Sequence, residues 1–124
     1  MGRRQRQRQR ERGSGAAPVP QAPHGDYADG DGNVLRLRGS LSPRARQRYG
    51  ETLAGGLDRE DAWQRAVELL FEHLSVSWTI AGLQITRQKE LLGRYRMASQ
   101  HEREFVRDSL RAHLAEHFPE LDAP

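Results

Sequence analysis

One stretch of this sequence constrains the fold more than any other. Trp63, Ala66, Val67, Leu70, Phe71 and Leu74 recur at steps of three and four. That spacing places them along one side of an α-helix. Asp58, just ahead of the stripe, is a suitable N-cap. A helix with so clear an apolar stripe needs partners to bury it, and the flanking sequence supplies them.

Upstream, Ser42 is an N-cap followed by Pro43 at the first helical position. Ala45, Tyr49 and Leu53 then fall four apart, and Gly55-Gly56 stops the helix. Downstream, Thr86 reads as the cap of a third helix with Leu91, Leu92 and Tyr95 inward and Gly93 weakening it. Ser99 with Glu102 forms a capping box that opens a fourth helix. Its stripe is Phe105, Val106, Leu110, Leu114 and Phe118, and Pro119 ends it.

Two segments depart from helical patterning. Asp26 to Gly39 combines Asp/Gly turn chemistry with Val34, Leu35 and Leu37, which predicts a short strand or hairpin. Ser75 to Ile85 is rich in strand-forming residues and admits two readings. It is a hairpin turning at Ala81-Gly82, or it continues the helix to about Ile80 with Gly82 as the residue after the cap. An isolated hairpin is marginal, which favours the helix, although the N-terminal strand could rescue it by pairing. No internal repeat is visible. The expectation is a mostly α fold: a bundle of about four helices with a short N-terminal strand or hairpin, preceded by a disordered tail.

Charge divides the chain further. The first twelve residues carry Arg3, Arg4, Arg6, Arg8, Arg10 and Arg12 against Glu11, a net +5 in a chain whose total is +3. The remainder is therefore −2, and the basic character belongs to the tail. Residues 1–25 read as a disordered Arg/Gln-rich tail and a Pro/Gly/Ala linker, since they offer little apolar area to offset chain entropy. Residues 26–124 read as one small helical domain.

Composition excludes several chemistries. There is no cysteine, hence no disulfide, Cys-ligated zinc, iron–sulfur cluster or Cys nucleophile. This fits a reducing cytoplasm. Lys89 is the only lysine, a usage that matches a GC-rich bacterial genome. No apolar run reaches the roughly 18–20 residues of a membrane span, and the tail lacks the apolar region of a secretory signal. GxSxG, Walker A and GxGxxG motifs are absent.

Three motifs invite chemistry. His113-Leu114-Ala115-Glu116-His117 matches H-x-x-E-H, which would place two imidazoles on one helical face with a carboxylate beside them. Few acids follow to complete a zinc shell, so His113, Glu116 and His117 read better as surface and core-flanking groups, with no metal or other cofactor implied. Asp29-Gly30-Asp31-Gly32-Asn33 resembles part of a calcium loop, but Tyr27 and Arg38 fall where acidic ligands belong, so a turn explains it. Ala81 to Lys89 has a faint helix-turn-helix character, in which Thr86, Arg87, Gln88, Lys89, Arg94 and Arg96 would face a DNA groove. Trp78 and Gln88 depart from that motif, and a solvated helix face is the better account of these residues.

The tail is the most distinctive feature. Arginine at alternate positions lines one side of an extended chain with guanidiniums that pair with phosphate. The expected function is that of a non-enzymatic accessory protein with weak, sequence-independent affinity for RNA or DNA. The body would contact a protein partner or a second copy, with Trp78, Ile80, Arg87, Lys89 and Arg94 as interaction residues. The alternatives are a pure protein-interaction module and, remotely, a metal-dependent hydrolase built on the H-x-x-E-H stretch.

Overall fold

In a computed structural model, residues 23–55 and 58–123 are described. The chain order is β1 (His24–Ala28), β2 (Val34–Arg38), α1 (Pro43–Leu53), α2 (Arg59–Leu74), β3 (Ser75–Ile80), β4 (Leu83–Ile85), α3 (Gln88–Arg96) and α4 (Gln100–His117). The strands form one antiparallel sheet in the order β1-β2-β3-β4. The expected mostly α bundle with a short hairpin is therefore incorrect. Four helices pack on a four-stranded sheet. His24 and Gly25, read from sequence as linker, are strand residues.

The error lies in Ser75–Ile85. α2 ends at Leu74, and the backbone of Ser75 donates to the Phe71 carbonyl before the chain turns directly into β3. Ala81 (φ 52°) and Gly82 (φ 80°) both take left-handed backbone, the geometry of a two-residue primed hairpin turn. Such a φ is unfavourable for alanine. The turn is tied down from outside: Asn33, in the β1–β2 loop, accepts from the Ala81 amide at 2.9 Å. Asp29 in turn accepts from the backbone of Asp31 and Asn33 and from the Asn33 side chain. The hairpin is not isolated either, because β2 pairs along β3, with Leu35 opposite Trp78 and a register shift between Arg36 and Leu37.

One face of the sheet is apolar. Tyr27, Leu35, Trp78 and Ile85 are cross-strand partners in a single row. Leu35 and Trp78, with Leu37, are buried in the core beneath the helices. α2 runs through the middle of that layer and touches α1, α3, α4 and β3. Its stripe is buried as the spacing predicts, with Trp63 half-buried at its N-terminal end. The caps also form as read. Ser42 accepts from Ala45, Asp58 from Glu60 and Asp61, and Ser99 and Glu102 close a reciprocal capping box. Thr86 is different: Arg87 occupies the cap of α3, without a side-chain cap bond.

The element order repeats, although the sequence does not. A hairpin followed by two helices occurs twice, as β1-β2-α1-α2 and β3-β4-α3-α4. In each unit the first helix carries an Arg-Tyr pair, Arg48-Tyr49 and Arg94-Tyr95, whose tyrosine enters the core. No helix among the described residues is long and apolar enough to cross a membrane.

Gly93 lies inside α3, and a Cβ there would meet nothing within 4 Å. Gly93→Ala should therefore stabilise the fold by about 0.5–1 kcal/mol, through helix propensity and a less flexible unfolded chain. A urea unfolding midpoint that fails to rise would show that α3 does not need this helix-interior geometry.

Candidate functional site

The H-x-x-E-H stretch lies in the last turns of α4, where it meets the first two strands. His113 is fully buried, because the helix stripe there faces the base of the β1–β2 hairpin. Its Nε2–H donates to the Arg38 carbonyl at 2.7 Å. A carbonyl can only accept, so the proton sits on Nε2 and Nδ1 keeps its lone pair. The Tyr27 hydroxyl donates to Nδ1 at 2.8 Å, with the two rings edge to face at 5.6 Å between centroids. Both nitrogens of His113 are thus engaged, and neither is available to a metal ion. Glu116 points outward (side chain 72% exposed), 3.8 Å from Nε2 of His117. Among the described residues no group of three or more His, Asp or Glu side chains is placed to hold a metal.

Burial pushes the His113 pKa below the ordinary histidine value, and the His117 ring, 4.4 Å away between centroids, acts in the same direction. The Arg38 carbonyl and Glu116 act against them. The net direction favours the neutral ring that the hydrogen bonds require.

Two glycines let the backbone approach this cluster. A Cβ at Gly25 would stand 2.9 Å from the Tyr27 hydroxyl and 3.2 Å from Nδ1 of His113. A Cβ at Gly39 would stand 2.7 Å from the Pro23 carbonyl and 2.9 Å from Nδ1 of His117. The Gly39 amide also donates to that same Pro23 carbonyl, which closes the open end of the hairpin. Gly39→Ala must therefore displace backbone, and about 1–3 kcal/mol of destabilisation is expected. Thermal unfolding checks this; an unchanged midpoint would contradict the close approach.

The other residues singled out from the sequence are scattered. Trp78 is 1% exposed, packed edge-on against Phe71, and so belongs to the core rather than to an interaction surface. Ile80 is partly buried against that core. Arg94 forms a two-pronged ion pair with Glu102, at 3.2 and 2.6 Å, and its guanidinium lies over the Trp78 ring. Of the five residues expected to make an interaction surface, Arg87 and Lys89 are the exposed ones, at the start of α3. The helix-turn-helix likeness fails on geometry, because a β-hairpin and not a helix precedes α3. The arginines at positions 3, 4, 6, 8, 10 and 12 lie outside the described residues.

A shallow groove of ≈1070 Å³ runs over the outer side of α2, between α1 and the start of α4. Trp63 and Tyr95 contribute to its lining, and Arg48, Arg65, Arg103 and Arg107 alternate with carboxylates. Arg103 is held over Tyr95 and donates to the carbonyls of Arg96 and Ala98. Charges of both signs share the groove, so it presents no single-sign field.

The sequence pointed to His113 for its spacing but missed its partners, Tyr27 and Arg38. The available signal was the tyrosine alternating into the core face of a strand next to a loop. Comparison with known protein families, with curated proteins and with solved structures returns no match.

Proposed function

We propose that this chain is a non-enzymatic accessory protein in which the α/β body anchors an arginine arm of weak, sequence-independent affinity for RNA or DNA. The observation that carries this reading is the partition of charge, +5 within residues 1–12 and −2 over the rest. The body's own cations support it. Arg36, Arg46, Arg94 and Arg96 each face a carboxylate, of Asp26, Glu120, Glu102 and Glu68 respectively. These pairs take up part of the body's positive charge, and its net charge of −2 disfavours a polyanion, so phosphate affinity is assigned to the arm. A cytoplasmic location belongs to the same reading and rests on the absence of cysteine.

The competing readings draw less support. A protein-interaction module anchored at Trp78 and Ile80 needs an exposed apolar patch there, and Trp78 is sealed. A zinc hydrolase needs a nitrogen lone pair on His113, and Tyr27 engages the one available.

The test is fluorescence anisotropy with labelled RNA and DNA, comparing the full chain with one lacking residues 1–12. Both should fold, and only the full chain should bind. Equal binding by the shortened chain would move the affinity to the body, with the exposed Arg87 and Lys89 as the first suspects.

A further inference from the structure

We propose that Tyr27, His113 and the Arg38 carbonyl form a proton-operated latch on β1: protonating His113 releases the first strand while the remaining strands and the helices stay folded.

Beyond its backbone ladder with β2 and the Gly39–Pro23 bond, little else holds β1. It is an edge strand, and none of its side chains is fully buried. β2 and β3, by contrast, contribute Leu35, Leu37 and Trp78 to the core. On its outer face β1 offers the Asp26–Arg36 pair, with both side chains more than 40% exposed (44% and 43%), a weak tie in water. On its inner face Gly25 has no side chain, which leaves Tyr27 as the link to the helical layer through His113. Elements with few buried apolar contacts open first and independently of the core.

The latch sits on a group that titrates near neutrality. The groups facing His113 come from three elements: Tyr27 from β1, the Arg38 carbonyl from β2, and His117 with Glu116 from α4. Of the other titratable side chains on β1, His24 is exposed and pairs in register with Arg38, and Asp26 is paired with Arg36. A second proton on His113 would place a cation in a fully buried site, beside a second imidazole, with only an outward-pointing carboxylate to offset it. Opening β1 brings water to the ring. The closed state binds the proton less readily than the open one, because burial depresses the His113 pKa below 6.5. Stability of the closed strand is therefore fully present above that ordinary value and is lost as pH falls through the depressed one.

Amide hydrogen exchange from about pH 7.5 to about pH 5, corrected for the intrinsic rate, reads this directly. Below about pH 6.5, protection of β1 should fall by up to tenfold per pH unit while α2 and β3 keep theirs. Loss of the pH dependence in His113→Gln, with β2–β4 still protected, would tie the effect to this ring. Tyr27→Phe keeps the ring packing and removes the hydroxyl, so β1 should exchange faster already at neutral pH. β1 protection that is independent of pH, or that falls only in step with α2, overturns the proposal. The wild-type titration decides this even where a variant fails to fold.

Discussion

Phe71→Ala is expected to cost about 3–5 kcal/mol, a large share of the roughly 5–15 kcal/mol that holds a domain of this size together. Phe71 is fully buried at the junction of three elements. Its ring meets Trp78 of β3 edge to face at 5.8 Å and stacks on Tyr95 of α3 at 4.9 Å, while its backbone belongs to α2. Deleting it removes the apolar burial and opens a cavity, and both neighbours are aromatic rings with other fixed contacts. Trp78 lies under Arg94, and Tyr95 lies under Arg103. Collapse into the space would have to disturb those contacts, so relaxation recovers little of the loss. Urea unfolding followed by tryptophan fluorescence measures the effect. A cost below about 1 kcal/mol would mean that α2, α3 and β3 do not meet as described, since that is less than the transfer of the side chain alone.

Phe71 also shows which parts of the fold could be read from the sequence. Its place in the core is legible because α2 is long and its period is plain, and the caps at Asp58 and Ser99 are local chemistry that a sequence displays. Ser75–Ile85 was ambiguous for the converse reason. Its hairpin is held by non-local partners: β2 along one side, and Asn33 reaching the Ala81 amide from 48 residues away. Neither leaves a trace within the segment. Tyr27 and His113 are 86 residues apart, so nothing near H-x-x-E-H announced that one of its imidazoles is a structural tie between α4 and β1. The spacing was correct about the helical face and uninformative about the chemistry. The two β-β-α-α units are not legible in the sequence, because the order of elements recurs while the residues, one Arg-Tyr pair aside, do not.

The arm makes the other large prediction. If six arginines neutralise six phosphates, counterion release gives a slope of log affinity against log salt of up to about −5. Between about 50 and 200 mM salt the affinity of the full chain for nucleic acid should then fall by on the order of a thousandfold. Glu11 lies among the arginines and offsets part of this, so Glu11→Gln should steepen the slope. Replacing arginines by glutamine two at a time should flatten it by about 2 per pair, because each contact contributes nearly one unit. Lysine replacements should keep the slope, since charge sets it, and weaken only the bidentate hydrogen bonding that the guanidinium adds. RNA and DNA of unrelated sequence should give one curve, because a phosphate contact carries no sequence information. A slope that survives removal of residues 1–12 would locate the cations in the body. A full chain with no affinity even at low salt would remove nucleic acid from the function altogether, and the charge partition would then be a matter of solubility alone.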